Sequence, residues 1–449
     1  MNCLTETPAK SASEVVEAAR RAVEAAIHQA VPRLDKVEQG RLASICVPVS
    51  LALDQIAGWD CCWTAPSENL TFFGRGEAAR FGQTAAQSFS SECARWVSLT
   101  TESRAPRAFF TLPPATEPQT PDLWVPAILV ERGQRSAFVT LTARRDGRSA
   151  AAVADNWMRH LRLMLVAPSR PVRSDPLAIT SKPDDAVWRG FVEAAKKAIV
   201  AGSLTKIVLA RRMSLLMSRP VDSGRLVRRL AQVNPECCVF CVPHGTGSVI
   251  AASPERLAVK RGRLLTSHAV AGTIGRRADA VDDAEAARAL MASKKERREH
   301  ELVVEGIVDA LAGICDEMSV PAAPSLLSLH RVRHLWTLVT ARLSEGVGLI
   351  DAALRLHPTP AVLGAPRKAA RDLLTEMGEK RDGLYTGVVG WIDRDGEGDA
   401  AVVLRAAFIE GRSVALWAGA GIIADSDPDA ELAETRLKLA TMLEALQTT

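Results

Sequence analysis

Residues 293–303 read SKKERREHELV, eight ionisable side chains in eleven positions. A solvated helix would turn all of these charges to water and pair them at i,i+3 and i,i+4. The wall of a site would turn some acids inward. At 100° per residue, Glu296, Glu299 and His300 fall on the side of Val303, Ile307 and Leu311, while Lys294, Arg297 and Arg298 fall off it. Burying two carboxylates side by side costs on the order of several kcal/mol unless a cation or protons compensate. This stretch alone leaves both readings open.

A second segment shifts the balance. In SDPDAELAETRLKLATMLEAL (426–446), Ser426 or Asp427 can cap a helix and Pro428 suits its first turn. Leu432, Leu439, Leu443 and Leu446 make its apolar stripe, and Glu431, Glu434 and Lys438 run along one edge of that stripe. Two helices thus each bring a Glu-x-x-Glu pair toward the interior. Carboxylates with no His or Cys among them suit a hard cation such as Mg²⁺. A di-iron site would need Glu-x-x-His, and a zincin would need a second His at Val304. There is no P-loop and no complete G-x-G-x-x-G, so nucleotide is not indicated.

The surrounding chain has 449 residues, 47% hydrophobic and 24% charged, enough for a sizeable core. A net charge of +4 with Lys and Arg spread along the chain argues against a nucleic-acid surface. Nine scattered cysteines, several in apolar runs such as ECCVFCV, fit a reducing, cytoplasmic setting. The C-x-x-C of Cys238 and Cys241 has no second pair at zinc-site spacing and reads as a buried strand. The first thirty residues lack the apolar region of a signal peptide, and no run of about twenty apolar residues predicts a membrane span.

Periodicity predicts an opening helix over 11–30, short strands over 42–165, a Pro/Ser-rich crossing at 166–188, and then more strands with helices at 283–314, 365–378 and 428–446. Strands and helices come in separate runs, so the expected fold is α+β, with one large, mostly antiparallel sheet flanked by helices.

Other residues could carry chemistry. Lys206 opens the apolar strand KIVLARR; it either snorkels or is a desolvated amine able to take a proton. Glu255 in ASPERL is either a surface turn acid or a buried carboxyl that holds a proton to donate. Arg405, inside AAVVLRAAFI, needs an anionic partner, either a structural carboxylate or that of a ligand. AGAGII (418–423) and AGTIG (271–275) are plain turns or backbone that can approach an anion. HPTPAVLGAP (357–366) is a rigid loop that His357 can tie down.

Together KIVLARR, ASPERL, HAVAGTIGR, SKKERREHELVVEGI, RHLWT, HPTPAVLGAPRKAA, GLYTGVVGWID, VVLRAAF and WAGAGIIADSDPDAELAETRLKL, in this order across about 200–446, resemble the chorismate-utilising enzymes. That family holds the isochorismate, salicylate, anthranilate and aminodeoxychorismate synthases. The resemblance implies a single chorismate-binding domain over 1–449 made of two related halves, with 1–165 matching loosely, 166–188 as the crossing and 189–449 as the catalytic half.

The resemblance also implies roles. Glu299 and Glu434 would ligate Mg²⁺ with Glu296 and Glu431 behind them. Arg405, Gly419 and Lys438 would hold the anionic groups of chorismate, and Gly272, Thr273, His334 and Ala361 would shape the pocket. Lysine at 206, where amine-adding members carry Gln, resembles the water-adding members, so no glutaminase subunit is implied. Lys206 would deprotonate a water attacking C2 and Glu255 would protonate the departing C4 hydroxyl.

The 357–366 loop and GLYTGVVGWID look most like isochorismate synthases, although Val362 stands where a larger aliphatic is often found. A salicylate synthase that also eliminates pyruvate is the alternative, and a silent carboxylate-binding sensor a third. The expected product, isochorismate, feeds siderophore, salicylate and menaquinone synthesis. The implied protein is a monomer or weak oligomer.

Overall fold

The computed structural model describes residues 11–51, 56–82, 85–132, 137–166 and 174–447. Residues 1–10, where the leader expectation begins, and 167–173, within the expected crossing, lie outside them.

The opening helix spans Ala12–Leu34 and starts in a capping box between Ser11 and Glu14. Its buried Val16, Ala19, Val23, Ile27, Ala30 and Leu34 recur at three- and four-residue steps and pack against the helix Ala150–Met164.

The strands form two sheets where one was expected, of 13 and 10 strands among the described residues. Among the described residues every paired ladder is antiparallel except that of Leu42–Val49 with Val97–Ser98. The division follows from twist, because open sheets of more than about ten strands curl or split into packed layers. It was also encoded in strands without alternation: Cys61–Ala65, Val388–Ile392 and Gly398–Val402 are buried at every position. Phe72 of the larger sheet meets Trp391 of the smaller edge-on, ring centroids 5.1 Å apart, in an aromatic core between the sheets.

Strands from both ends of the chain share each sheet. Cys61–Ala65 pairs with Cys238–His244, and Ala108–Leu112 pairs with Val388–Ile392. Cys238 faces the core between the sheets and Cys241 the opposite one, as residues three apart on a strand must, so the C-x-x-C cannot converge on one ion.

The helix expected over 283–314 is two helices, Ala280–Ala292 and Lys294–Leu311. Ser293 breaks it: its extended backbone ends the first helix, and its hydroxyl accepts from the Glu296 N–H to cap the second. The helices expected at 365–378 and 428–446 are Arg367–Glu376 and Pro428–Gln447. No helix among the described residues is long and apolar enough to cross a membrane.

Candidate active site

The two glutamate-bearing helices converge beside four strands. In the strand Leu264–Gly275 the register against Val332–Leu343 shifts between Ala271 and Thr273. Gly272 sits at this bulge with φ of +76°, which only glycine takes at little cost, and a Cβ there would press on Glu296 at 3.2–3.3 Å. The bulge aims the Thr273 N–H at Glu296 Oε2, 2.9 Å away.

His334, opposite Thr273, is buried. Its Nδ1 lies 3.3 Å from Gly272 O and 3.1 Å from Thr273 Oγ1, and its Nε2 lies 2.6 Å from Arg405 Nη2. Burial, then the charges of Arg405 and Lys438, push its pKa well below the ordinary value. A neutral ring with the proton on Nδ1 satisfies these contacts, because the guanidinium can only donate to Nε2. Arg405 is itself buried, with φ of +49°, and among the described residues no carboxylate lies within ion-pair distance of it. Of the two partners expected for Arg405, a structural carboxylate is therefore absent among those residues.

On the helix Lys294–Leu311, Glu299 and His300 are buried while Lys294, Arg297 and Arg298 are exposed, as the periodicity predicts. The helix Pro428–Gln447 is capped by Asp427, whose carboxylate accepts from the N–H groups of Asp429 and Ala430. The alternative cap, Ser426, accepts from Ile423 N–H instead. Glu431 on this helix is buried and Glu434 nearly so.

Three lysines pair with the four acids. Lys295 Nζ bridges Glu296 Oε1 at 3.0 Å and Glu431 Oε1 at 2.8 Å, joining the two helices. Lys206 Nζ lies 3.0 Å from Glu299 Oε1, an ion pair without a well-aligned hydrogen bond. Lys438 Nζ contacts Glu434 Oε1 at 2.6 Å and donates to Gly419 O at 2.9 Å.

Burial and the neighbouring Glu434 push Glu431 up to about 7, and burial with Glu299 raises Glu296. Burial also works against the Glu299 carboxylate, but Lys206 and Lys295 prevail and hold its pKa below the usual value. Among the described residues no three His, Cys, Asp or Glu side chains already stand as a ligand cluster. Sequence reasoning passed over Lys295, whose bridge cannot be told from a solvated charge in so ionic a run.

Lys206 does not snorkel: it is fully buried at the start of Lys206–Met217, whose neighbour is Ser413–Ile422. Gly421 on that neighbour leaves the space in which Lys206 and Glu299 meet, since a Cβ there would lie 2.8 Å from Lys206 Cε and overlap the Glu299 carboxylate. Glu255 is no surface acid either. It is buried, and burial pushes its pKa up to about 7 against the pull of a hydrogen bond from Thr359 Oγ1 and of Lys206 and Lys438. His357 does tie down its loop, through Nε2 to Pro113 O at 3.3 Å.

These groups surround one cavity of about 690 Å³ counting its mouth. Nine of the thirteen residues singled out in the sequence line it, namely Glu255, Gly272, Thr273, Glu299, His334, Ala361, Arg405, Gly419 and Lys438. Lys206, Glu296, Glu431 and Glu434 stand behind this lining, tied to it by the contacts just given.

A family model described as chorismate binding enzyme matches residues 46–447. The chain belongs to the chorismate-binding enzymes. It is 36% identical over 326 residues to a salicylate biosynthesis isochorismate synthase of Pseudomonas aeruginosa, covering 71% of this chain and 67% of that one. It is 34% identical over 300 residues to an isochorismate synthase of Escherichia coli, covering 66% and 77%. The solved structure of the menaquinone-specific isochorismate synthase from Escherichia coli superposes with a TM-score of 0.81 at 27% identity, covering 95% of this chain and all of that one.

Several lining residues of this chorismate-binding enzyme were missed. Tyr385, the only tyrosine in the chain, stacks on Trp417 with centroids 5.3 Å apart. Strand alternation could have found Trp417, which shares a face with Gly419 and Gly421. Leu384 and Thr386 flank Tyr385 with φ of +62° and +64°, so backbone strain gathers here as it does at Arg405. Arg381, also unforeseen, is fully buried and donates to Val208 O at 2.7 Å and to Val362 O, pinning the 357–366 loop against the strand of Lys206.

Gly421→Ala is expected to lower kcat by about tenfold or more, as displacements near 1 Å in a site commonly do. Circular dichroism should stay unchanged, and steady-state kinetics on chorismate checks the loss.

Proposed function

We propose that the chain converts chorismate to isochorismate, as an isomerase that works with Mg²⁺. The observation that carries this reading is the convergence, around one cavity, of a buried carboxyl with a pKa near 7, a buried guanidinium with no carboxylate partner among the described residues, and two Glu-x-x-Glu pairs.

The residues fit a hard cation. Their donors are all carboxylate oxygens, and the raised pKa values of Glu431 and Glu296 express burial first and then repulsion between the acids, both of which a divalent ion would offset. Glu299 and Glu434 would hold it, with Glu296 and Glu431 behind, clamped by Lys295. When bound, such an ion neutralises the ring carboxylate of the substrate. Glu299 would share its charge between Lys206 and such a cation, so the ion pair that holds the amine would be weaker with the cluster filled.

The chain's own groups then divide the work. Arg405 and Lys438 bind anionic groups of chorismate, with Arg405 held in aim by neutral His334. Gly419 and Gly272 let the backbone come close to the ring. Lys206 takes a proton from the water that forms a bond to C2. The ring double bonds shift, the C4–oxygen bond breaks, and Glu255 gives its proton to the departing hydroxyl, which leaves as water. One water enters and one leaves, so the product is an isomer.

Incubation with chorismate and Mg²⁺ is expected to accumulate isochorismate; salicylate with equimolar pyruvate would support the alternative synthase instead. Lys206→Ala should lower turnover by about 10²–10⁴-fold, the usual share of a general base, while chorismate binding measured by calorimetry changes little. Because Glu255 must be protonated to donate and has a pKa of about 7, kcat should fall as pH rises through about 7. A rate that stayed flat to pH 9 would exclude Glu255 as the acid.

A further inference from the structure

Glu255 has two carboxyl oxygens, and the surroundings treat them differently. Oε1 accepts a hydrogen bond from Thr359 Oγ1 at 3.2 Å, both side chains being about 99% buried. Oε2 has no protein partner among the described residues, and Glu255 lines the cavity. A protonated carboxyl has one carbonyl-type oxygen and one hydroxyl. A hydroxyl donor that engages Oε1 favours Oε1 as the carbonyl oxygen and so leaves the acidic hydrogen on Oε2.

Thr359 is held firmly enough to make this choice. It lies between Pro358 and Pro360, and its carbonyl accepts from the N–H groups of Val362 and Leu363 at 3.1 and 3.2 Å. Pro360 is seated over Gly306 of the helix that carries Glu299, where a Cβ would come within 2.8 Å of its ring. The loop bearing Thr359 is therefore fixed to the same helix as the acid cluster. On the other side, Ser253 Oγ lies 3.3 Å from the Glu255 N–H, and the Glu255 carbonyl accepts from Val402 N–H, so the backbone of the acid is pinned as well.

We propose that Thr359 is a positioning residue that fixes which oxygen of Glu255 carries the proton delivered to the departing C4 hydroxyl. This inference rests on the reading of Glu255 as the acid. It adds a reason for a hydroxyl at 359 that packing does not supply, because valine has nearly the same shape. The charged groups that face Glu255 are Lys206 on its strand and Lys438 on the C-terminal helix, and both stay in place when Thr359 is changed. The hydrogen bond also favours the ionised carboxylate, so its removal has a sign: the pH at which the acid is lost must rise.

The test is a pH profile of kcat for Thr359→Val, Thr359→Ser and Glu255→Gln in the full chain with chorismate and Mg²⁺. Thr359→Val should lose about tenfold or more in kcat with KM within about threefold, and its falling limb should move to higher pH. Thr359→Ser should recover most of the rate and return the limb. If valine is not tolerated at this buried position, Thr359→Ala supplies the same comparison. A valine or alanine variant with the wild-type rate and limb would overturn the proposal, and so would valine and serine variants equally slow with an unmoved limb. Glu255→Gln separates the two layers. An active Glu255→Gln ends the reading of Glu255 itself, whereas an inactive one beside a normal Thr359→Val ends only the role of Thr359.

Discussion

Four glutamates and three lysines share one nearly dry patch, and much of the architecture near the cavity serves to hold them there. Unpaired, any one of these charges would cost several kcal/mol; removing one partner of a buried pair typically costs ~3–5 kcal/mol. The Lys295 bridge makes the helices Lys294–Leu311 and Pro428–Gln447 electrostatically dependent on each other. The bulge at Gly272 and the missing side chain at Gly421 are the backbone consequences, one aiming an N–H at Glu296 and the other making room for Lys206 and Glu299. Because the acids outnumber the lysines by one, the patch keeps a residual negative charge that suits a cation.

On the other side of the cavity the imbalance has the opposite sign. Arg405 is buried against a neutral imidazole and lines the cavity. Of the four non-glycine residues with positive φ among the described residues, Leu384, Thr386 and Arg405 lie at or beside this cavity. A dianionic ring would fit such a gradient, with its carboxylates toward the cationic wall and its hydroxyl toward Glu255, the cavity-lining acid whose pKa lies near 7.

Legibility from the sequence followed the kind of force involved. Helical periodicity placed Glu296, Glu299, Glu431 and Glu434 inward because an apolar stripe fixes which side of a helix is buried. Local sequence could not decide Lys206 or Glu255, since their burial is imposed by distant segments: Gly421 and Glu299 for the lysine, and the 357–366 loop for the acid. Resemblance to a family supplied what local physics left open. The division into two sheets and the break at Ser293 were missed because both depend on competition, between sheet twist and continuity in one case and between a serine cap and helix propagation in the other. Arg381, Tyr385 and Thr359 were missed for a related reason, as each acts through a contact with a segment remote in the chain.

The acid patch is proposed as a divalent-cation site. Calorimetric titration of Mg²⁺ into the full chain, beside a Glu299→Gln/Glu434→Gln double variant of the same secondary structure, tests it most directly. Saturable binding of one ion per chain that vanishes in the double variant is the predicted result; equal binding by both proteins would contradict it.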